Sequence, residues 1–151
     1  MFDQYDLAIL REVQENAKIT IKDLGERISL SPTPTFERLK KLEKDGIIKG
    51  YFARLDAKKL GLGLTVMCHV SLQHHQQELI EKFQSQIVCF DEVMDCYHIA
   101  GMYDYLLKVV VSDMDAYQLF VSKKLASLDN IGNVQSSFVM SELKSEIGYN
   151  I

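Results

Sequence analysis

The spacing of the apolar residues changes near Gly61, and this change divides the chain into two kinds of structure. Before it, apolar residues recur every three to four positions, as in Leu7, Leu10 and Val13. This spacing is typical of amphipathic helices. After it, apolar and polar residues alternate over residues 64–72, which is typical of a strand with one buried face. The sequence therefore predicts a helical module followed by a module that mixes strands and helices.

The helical module is predicted to contain three helices, over about residues 4–16, 21–28 and 32–45. Asp3 and Thr20 stand where each can cap the helix that follows, because a short oxygen-bearing side chain accepts the first free N–H groups. Ser31 precedes Pro32, and proline is well suited to the first helical position. Gly46 is placed to end the third helix.

Only residues 29–31 separate the second and third helices, which is the layout of a helix-turn-helix. We expect Phe36, Leu39 and Leu42 to face the core, so that the opposite side of the third helix faces DNA. On that side Arg38 would pair with guanine edges, and the lysines would hold phosphates. The residues predicted to contact double-stranded DNA are Ser31, Thr33, Thr35, Arg38, Lys40, Lys41 and Lys44. The alternative is a three-helix bundle whose charged face is only solvated.

The second module is predicted to be a ferredoxin-like βαββαβ domain. Strands are expected over residues 64–72, 93–99, 104–111 and 134–143, with helical faces at 79–87 and 114–125. A short strand over residues 50–55 is expected to begin the linker. The predicted organisation is a winged helix-turn-helix domain at 1–50, a β-strand linker at 51–63 and a ferredoxin-like domain at 64–151, an α+β fold.

The charge of the chain is unevenly distributed between the two modules. The net charge is −4, yet residues 1–60 carry twelve Lys and Arg against ten Asp and Glu, whereas residues 61–151 carry five against eleven. A basic first half and an acidic second half suggest modules with different partners. The basic half is the one expected to meet DNA.

Several other classes of protein are not indicated. The sequence contains no apolar run long enough for a transmembrane helix, and the N-terminus lacks the layout of a signal peptide. Three cysteines, an odd number, suggest a reducing cytoplasm. The four histidines lack partners at metal-ligand spacing, and no catalytic constellation or phosphate-binding glycine loop is recognisable. We therefore expect no enzyme, no metal and no cofactor.

Two motifs give the chain a family resemblance. The helix start Ser31-Pro32-Thr33-Pro34 and the strand entry Gly101-x-x-Asp104-Tyr105-Leu106-Leu107 resemble the leucine-responsive/asparagine-responsive (Lrp/AsnC) transcription regulators, and the leucine-responsive branch most. The resemblance extends over essentially the whole chain. It implies a domain that dimerises through its sheet, assembles further into rings, commonly octamers, and binds small amino-acid effectors between dimers.

The effector is expected at the loop of residues 100–104. Its backbone N–H groups suit a carboxylate, and Asp104 suits an ammonium group. Ser136 corresponds to a polar position of the family pocket. The residues predicted to bind the effector are Gly101, Met102, Tyr103, Asp104, Val134 and Ser136. Their largely apolar surroundings, which include Phe138, favour leucine or methionine. The alternative is that Gly101 and Asp104 only form a tight turn.

The sequence thus favours a DNA-binding transcription regulator that responds to a small amino acid. Two alternatives remain open. One is an architectural DNA-binding protein without an effector response. The other is a small enzyme or an amino-acid-sensing regulatory subunit whose helical module binds protein instead of DNA.

Overall fold

The chain forms two compact units. The computed structural model describes residues 2–145 and 148–151. The first unit extends to Leu55 and also includes the end of the chain from Lys144, and the second is Asp56–Leu143. In the first unit, Gln14 bonds the backbone of Tyr149 in both directions, at 3.2 and 2.7 Å. The end of the chain therefore packs with the helical unit, although the sequence prediction assigned it to the ferredoxin-like domain.

The three predicted helices of the first unit are confirmed as α1 (Gln4–Glu15), α2 (Ile21–Ile28) and α3 (Pro32–Lys44). The Asp3 carboxylate accepts two N–H groups of the first turn, and Asp6 bonds back to the cap, which is a capping box. Thr20 accepts the N–H of Asp23. Gly46, at φ +71°, follows the end of α3, in the left-handed region that glycine favours.

The core of the helical unit consists of Ile9, Val13, Leu24, Ile28 and Leu42. Phe36, predicted to join it, is instead 48% exposed. Residues 35, 39 and 42 share the inner side of α3, and position 36 lies about 100° around the helix from position 35. The inner side therefore carries a threonine, and the phenylalanine faces outward.

The second unit is confirmed as an antiparallel sheet with the order β2-β3-β1-β4. The strands are β1 (Leu64–Leu72), β2 (Val93–His98), β3 (Tyr105–Val111) and β4 (Ile131–Phe138), and the helices are α4 (Gln77–Ile87) and α5 (Met114–Leu119). After α5 a π-helical turn, Phe120–Lys124, leads to a 3₁₀ turn, Leu125–Ser127. The predicted βαββαβ order and the α+β fold class are confirmed.

The sheet has one fully buried face and one half-buried face. On the buried face, Cys68 and Leu107 belong to the same core as Phe83 of α4 and Phe120. The residues that point to the other face are only partly buried; in β1 they are positions 65, 67, 69 and 71, and in β3 positions 106, 108 and 110. These partly buried residues form the surface that we call the open face.

Two predicted strands differ from the structure. The last strand runs over Ile131–Phe138 instead of 134–143, because pairing with β1 begins at Ile131 and ends at Phe138. Residues 51–56 form no strand, and Phe52 in this segment is 82% exposed. A strand needs a neighbour to bond its backbone, and this segment has none among the residues that the structure describes. Within that same part of the chain, no helix is long and apolar enough to cross a membrane.

Candidate functional site

The turn between α2 and α3 packs closely against Gly25 of α2. Ser29 ends α2 in the left-handed conformation, at φ 58°, and the N–H of Leu30 bonds the carbonyl of Gly25 at 2.9 Å. A Cβ atom at Gly25 would lie 2.6 Å from the Leu30 carbonyl oxygen. Only glycine fits there without a shift of the backbone. The turn thus fixes the orientation of α3 relative to α2.

The outer side of α3 carries the surface available to a partner. Thr33, Lys40, Lys41 and Lys44 are exposed there. Among the described residues, Lys41 and Lys44 have no ion-pair partner, whereas Lys40 pairs with Glu43 at 2.7 Å. Ser31 is exposed at the cap position, and its side chain makes no capping bond. Five of the seven predicted contact residues therefore lie on an accessible surface.

The prediction that Thr35 contacts DNA is wrong, because this residue lies inside the helical unit. Its side chain is fully buried, and its hydroxyl donates to the Ser31 carbonyl at 2.9 Å. The threonine fits because Gly25 leaves room: a Cβ atom on that glycine would lie 3.2 Å from the Thr35 Oγ1. Thr35 is therefore a packing residue between α2 and α3, out of reach of a duplex.

Arg38, predicted to pair with guanine, forms ion pairs within the helical unit. Its guanidinium lies 2.7 Å from both Asp3 and Asp6, and 5.5 Å from the centre of the Tyr5 ring. The hydrogen bond to Asp6, followed by that to Asp3, raises the pKa of Arg38. The Asp6 backbone N–H and, after it, Arg38 lower the pKa of Asp3. One nitrogen of the guanidinium, Nη1, thus bonds both carboxylates, and this pairing holds the side chain against the start of α1. The sequence indicates that Asp3 and Asp6 stabilise the start of α1. It does not indicate their pairing with Arg38, because the two acids lie more than 30 residues earlier in the chain.

The start of the linker is tied to α3 through Glu43. The Tyr51 hydroxyl donates to this carboxylate at 3.0 Å, on the residue that also pairs with Lys40. Partial burial, with Glu43 adding to it, raises the pKa of Tyr51 to about 12. The hydroxyl therefore stays protonated and bonded at neutral pH.

In the second unit, Asp104 joins the end of its loop to β1. Its carboxylate accepts the N–H of Leu72 at 2.7 Å and lies 2.9 Å from Nε2 of His75. The Leu72 bond first, and His75 after it, lower the pKa of Asp104. Gly101, at φ +149°, has no atom near its missing side chain, and Met102 is 87% exposed. The loop is therefore fixed at Asp104 and open at its tip.

Tyr103 and Ser136 point to opposite faces of the sheet. On the open face, the Tyr103 hydroxyl bonds Gln135, and its ring lies 5.1 Å from that of His69. On the buried face, Ser136 pairs across from Cys68, and its hydroxyl lies 2.5 Å from that of Tyr117.

The six predicted effector residues therefore do not meet in one pocket of this chain. Val134 packs against the buried core, on the same face as Ser136. The predicted set did not include Gln135 and His75, whose side chains bond Tyr103 and Asp104. The period of two had shown that 134, 136 and 138 share a face, but it did not indicate which face lies against Tyr103.

One cavity of the second unit contains none of the predicted site residues. This half-open cavity of about 450 Å³ lies where the end of β3 meets α5, with Met94, Val110 and Phe120 in its wall. Among residues 2–145 and 148–151, no group of three or more His, Cys, Asp or Glu is placed to hold a metal ion.

Comparison with known proteins gives matches along nearly the whole chain. Residues 2–49 match a winged helix-turn-helix DNA-binding domain, and residues 65–148 match the Lrp/AsnC ligand binding domain. The DNA-binding transcriptional activator DecR of Escherichia coli is 38% identical, over 95% of each chain. The leucine-responsive regulatory protein of Haemophilus influenzae is 37% identical, over 94% of this chain and 86% of that protein. A transcriptional regulator from Neisseria meningitidis, solved as its L-Met complex, superposes with a TM-score of 0.94 at 36% identity, over 99% and 96% of the two chains.

Proposed function

Because this chain belongs to the Lrp/AsnC family of DNA-binding transcription regulators, which are not enzymes, we propose that it binds specific operators and that a small amino acid, leucine or methionine, controls its DNA binding or assembly. The observation that carries the DNA-binding half is the outer side of α3. It offers two lysines without carboxylate partners among the described residues. Lysines on an exposed helix that follows a short turn are suited to duplex phosphates.

The effector half is supported by the open loop and by one relative. The tip of the 100–104 loop is accessible at Gly101 and Met102, and the N. meningitidis regulator that resembles the chain so closely was solved with L-Met. We assign the effector to Gly101, Met102, Tyr103 and Asp104. Val134 and Ser136 are not part of this assignment, because they face the helices of their own chain.

Assembly completes the proposal. The open face carries apolar side chains such as Leu106 and Val110 beside the polar ones, and a second sheet would cover it. We propose a homodimer through this face, assembling to an octamer, in the cytoplasm and without a membrane partner. A dimer would bind pseudo-palindromic sites with half-sites about one helical turn apart. A monomer in light scattering at micromolar concentration would contradict this part.

The DNA-binding half is tested by selecting preferred sequences from a random pool and measuring affinity across salt concentrations. Lys41→Gln and Lys44→Gln should each lower the slope of log K against log salt by about one. Lys123→Gln, an exposed lysine of the ferredoxin-like unit, is the control and should leave the slope unchanged. Slopes equal to that of the wild type for both Lys41→Gln and Lys44→Gln would show that α3 does not lie against the phosphates.

The effector half is tested by differential scanning against the twenty amino acids, because a ligand that binds only the folded state raises Tm. Leucine and methionine should raise Tm most. Asp104→Asn should weaken their binding more than about tenfold and leave DNA binding of the free protein nearly unchanged. A strong preference for lysine or glutamate would contradict the apolar assignment. DNA binding that no amino acid alters would favour an architectural protein.

A further inference from the structure

Phe36 is the largest apolar side chain on the outer side of α3, and the core of the unit does not require a phenylalanine at this position. It is 48% exposed and lies outside the helical core. An aromatic side chain loses much of its favourable transfer free energy when it remains in water. A ring held outward on this helix therefore suggests a partner that supplies apolar contact there.

The neighbours of the ring indicate the chemistry of that partner. Lys40 lies one turn further along α3, with its Nζ 5.7 Å from the centre of the Phe36 ring. Thr33, with its own methyl group, lies one turn before it and is exposed. The apolar patch is thus small and has a lysine at its border, which fits a polyanion with a local apolar group better than an extended apolar surface.

Arg38, expected to pair with guanine, and Thr35, expected to contact DNA, are both engaged within the unit. Arg38 is held by two carboxylates, and Thr35 is buried. Base reading then falls to the remaining exposed residues of the helix, among which Phe36 is the largest. In the major groove, the apolar group that distinguishes one base from the others is the 5-methyl of thymine, and phenylalanine and the threonine methyl are suited to contact it.

From this arrangement we infer that Phe36, with Thr33 beside it, reads thymine methyl groups in each half-site. The inference rests on the proposed DNA-binding function and deepens it. It makes Phe36 a specificity-determining residue and predicts that the preferred sites carry thymine under the start of α3.

The test removes the methyl from the DNA and the ring from the protein separately. A preferred duplex is selected with the full-length wild-type protein, and each thymine is replaced in turn by deoxyuridine, which lacks only the methyl. At one or two thymines of each half-site, the replacement should weaken wild-type binding about threefold to tenfold. At the same positions it should change the affinity of Phe36→Ala less than twofold, a non-additivity that reports direct contact.

Ile47→Ala is the matched control, because Ile47 is 43% exposed in the same unit but lies beyond the end of α3. It should respond to deoxyuridine like the wild type. Phe36→Leu, which retains an apolar side chain, should retain part of the response. Tm is measured for each variant, and Phe36→Ala should unfold close to the wild type because half of the ring is already in water.

The results that overturn the inference differ from those that overturn the proposed function. Equal deoxyuridine effects in wild type and Phe36→Ala, or a preferred site without thymine, would exclude thymine reading and leave the regulator intact. A lower oligomeric mass for Phe36→Ala in light scattering, without thymine coupling, would assign the ring to a contact between copies. A selection that returns no preferred sequence would overturn both.

Discussion

Arg38 in the helical unit and Asp104 in the ferredoxin-like unit are both charged residues that the sequence placed against a ligand, and they are held in different ways. Arg38 is bound by side chains, the carboxylates of Asp3 and Asp6 at 2.7 Å. Asp104 is bound chiefly by a backbone N–H, that of Leu72 at 2.7 Å. A surface ion pair is weakened by salt, whereas a bond to a strand N–H depends on the register of the sheet. Arg38 can exchange one anion for another, but Asp104 cannot leave without freeing its loop.

The largest loss of stability is expected from Gly25→Ala. This variant tests whether the two units unfold independently of one another. The added Cβ would lie 2.6 Å from a backbone oxygen, so the turn must shift, at a cost of about 2–3 kcal/mol. Hydrogen exchange should show lost protection in α1–α3 and unchanged protection in β1–β4. Glu26→Ala, exposed on the same helix, is the control and should cost less than about 0.5 kcal/mol. Equal loss in both units would mean that they unfold together.

Thr35→Ala sharpens the contrast within α3 itself. It removes a fully buried side chain and its bond to the Ser31 carbonyl, and should cost about 1–2 kcal/mol in urea unfolding. Thr33→Ala, two residues earlier and exposed, should cost less than about 0.5 kcal/mol. Affinity for a preferred duplex should fall for Thr33→Ala. The opposite ranking in both measurements would mean that the sides of α3 are assigned wrongly.

Asp104→Asn should cost about 1 kcal/mol of stability at neutral pH, because the bond to Leu72 loses its charge. The pKa of Asp104 is lowered in the folded protein, so its stabilising contribution is present above the unfolded value of about 3.9. It is lost as the pH falls through the folded value. The difference in Tm between wild type and variant should therefore be complete at pH 7 and shrink below about pH 4. Asp91→Asn, which changes an exposed acid of the same unit, is the control and should cost less than about 0.5 kcal/mol at pH 7.

The smallest effect on DNA reading is expected from Arg38→Ala. A base-reading arginine is worth about fivefold or more in discrimination, and Arg38→Ala should change the ratio of affinities for preferred and unrelated duplexes by less. Its Tm should be lower than that of the wild type at low salt, with a difference that narrows as salt is added. Arg54→Ala, exposed in the linker, is the comparison variant. Loss of sequence preference in Arg38→Ala alone would restore this arginine as a reader.

The sequence predicted elements well where the signal is local. The caps at Asp3 and Thr20 and both ends of β1 agree with the structure, because capping and alternation depend on neighbouring residues. The segment 50–55 carries strand-forming residues but has no neighbouring strand among the described residues. A prediction from propensity cannot supply that neighbour.

The sites were harder to predict because their faces are set by distant residues. Thr35 is buried and Phe36 exposed because Gly25 of another helix leaves room for a small side chain. Ser136 faces Tyr117 of α5 on one side of the sheet, whereas Gln135 faces Tyr103 on the other side. Polarity and period identify such residues as candidates, but tertiary packing decides which of them a ligand can reach.

The division of α3 into two sides has a consequence for how such a regulator can change its targets. The residues that hold the helix in place, Thr35, Arg38 and Leu42, are different from those exposed to a duplex. Substitutions at Thr33, Phe36, Glu37 and Lys41, all exposed, would therefore alter the proposed reading surface without removing the contacts that fold the unit. Related regulators can diverge in target sequence by drift at these positions, and a designer can randomise the same four to retarget the protein on an unchanged scaffold.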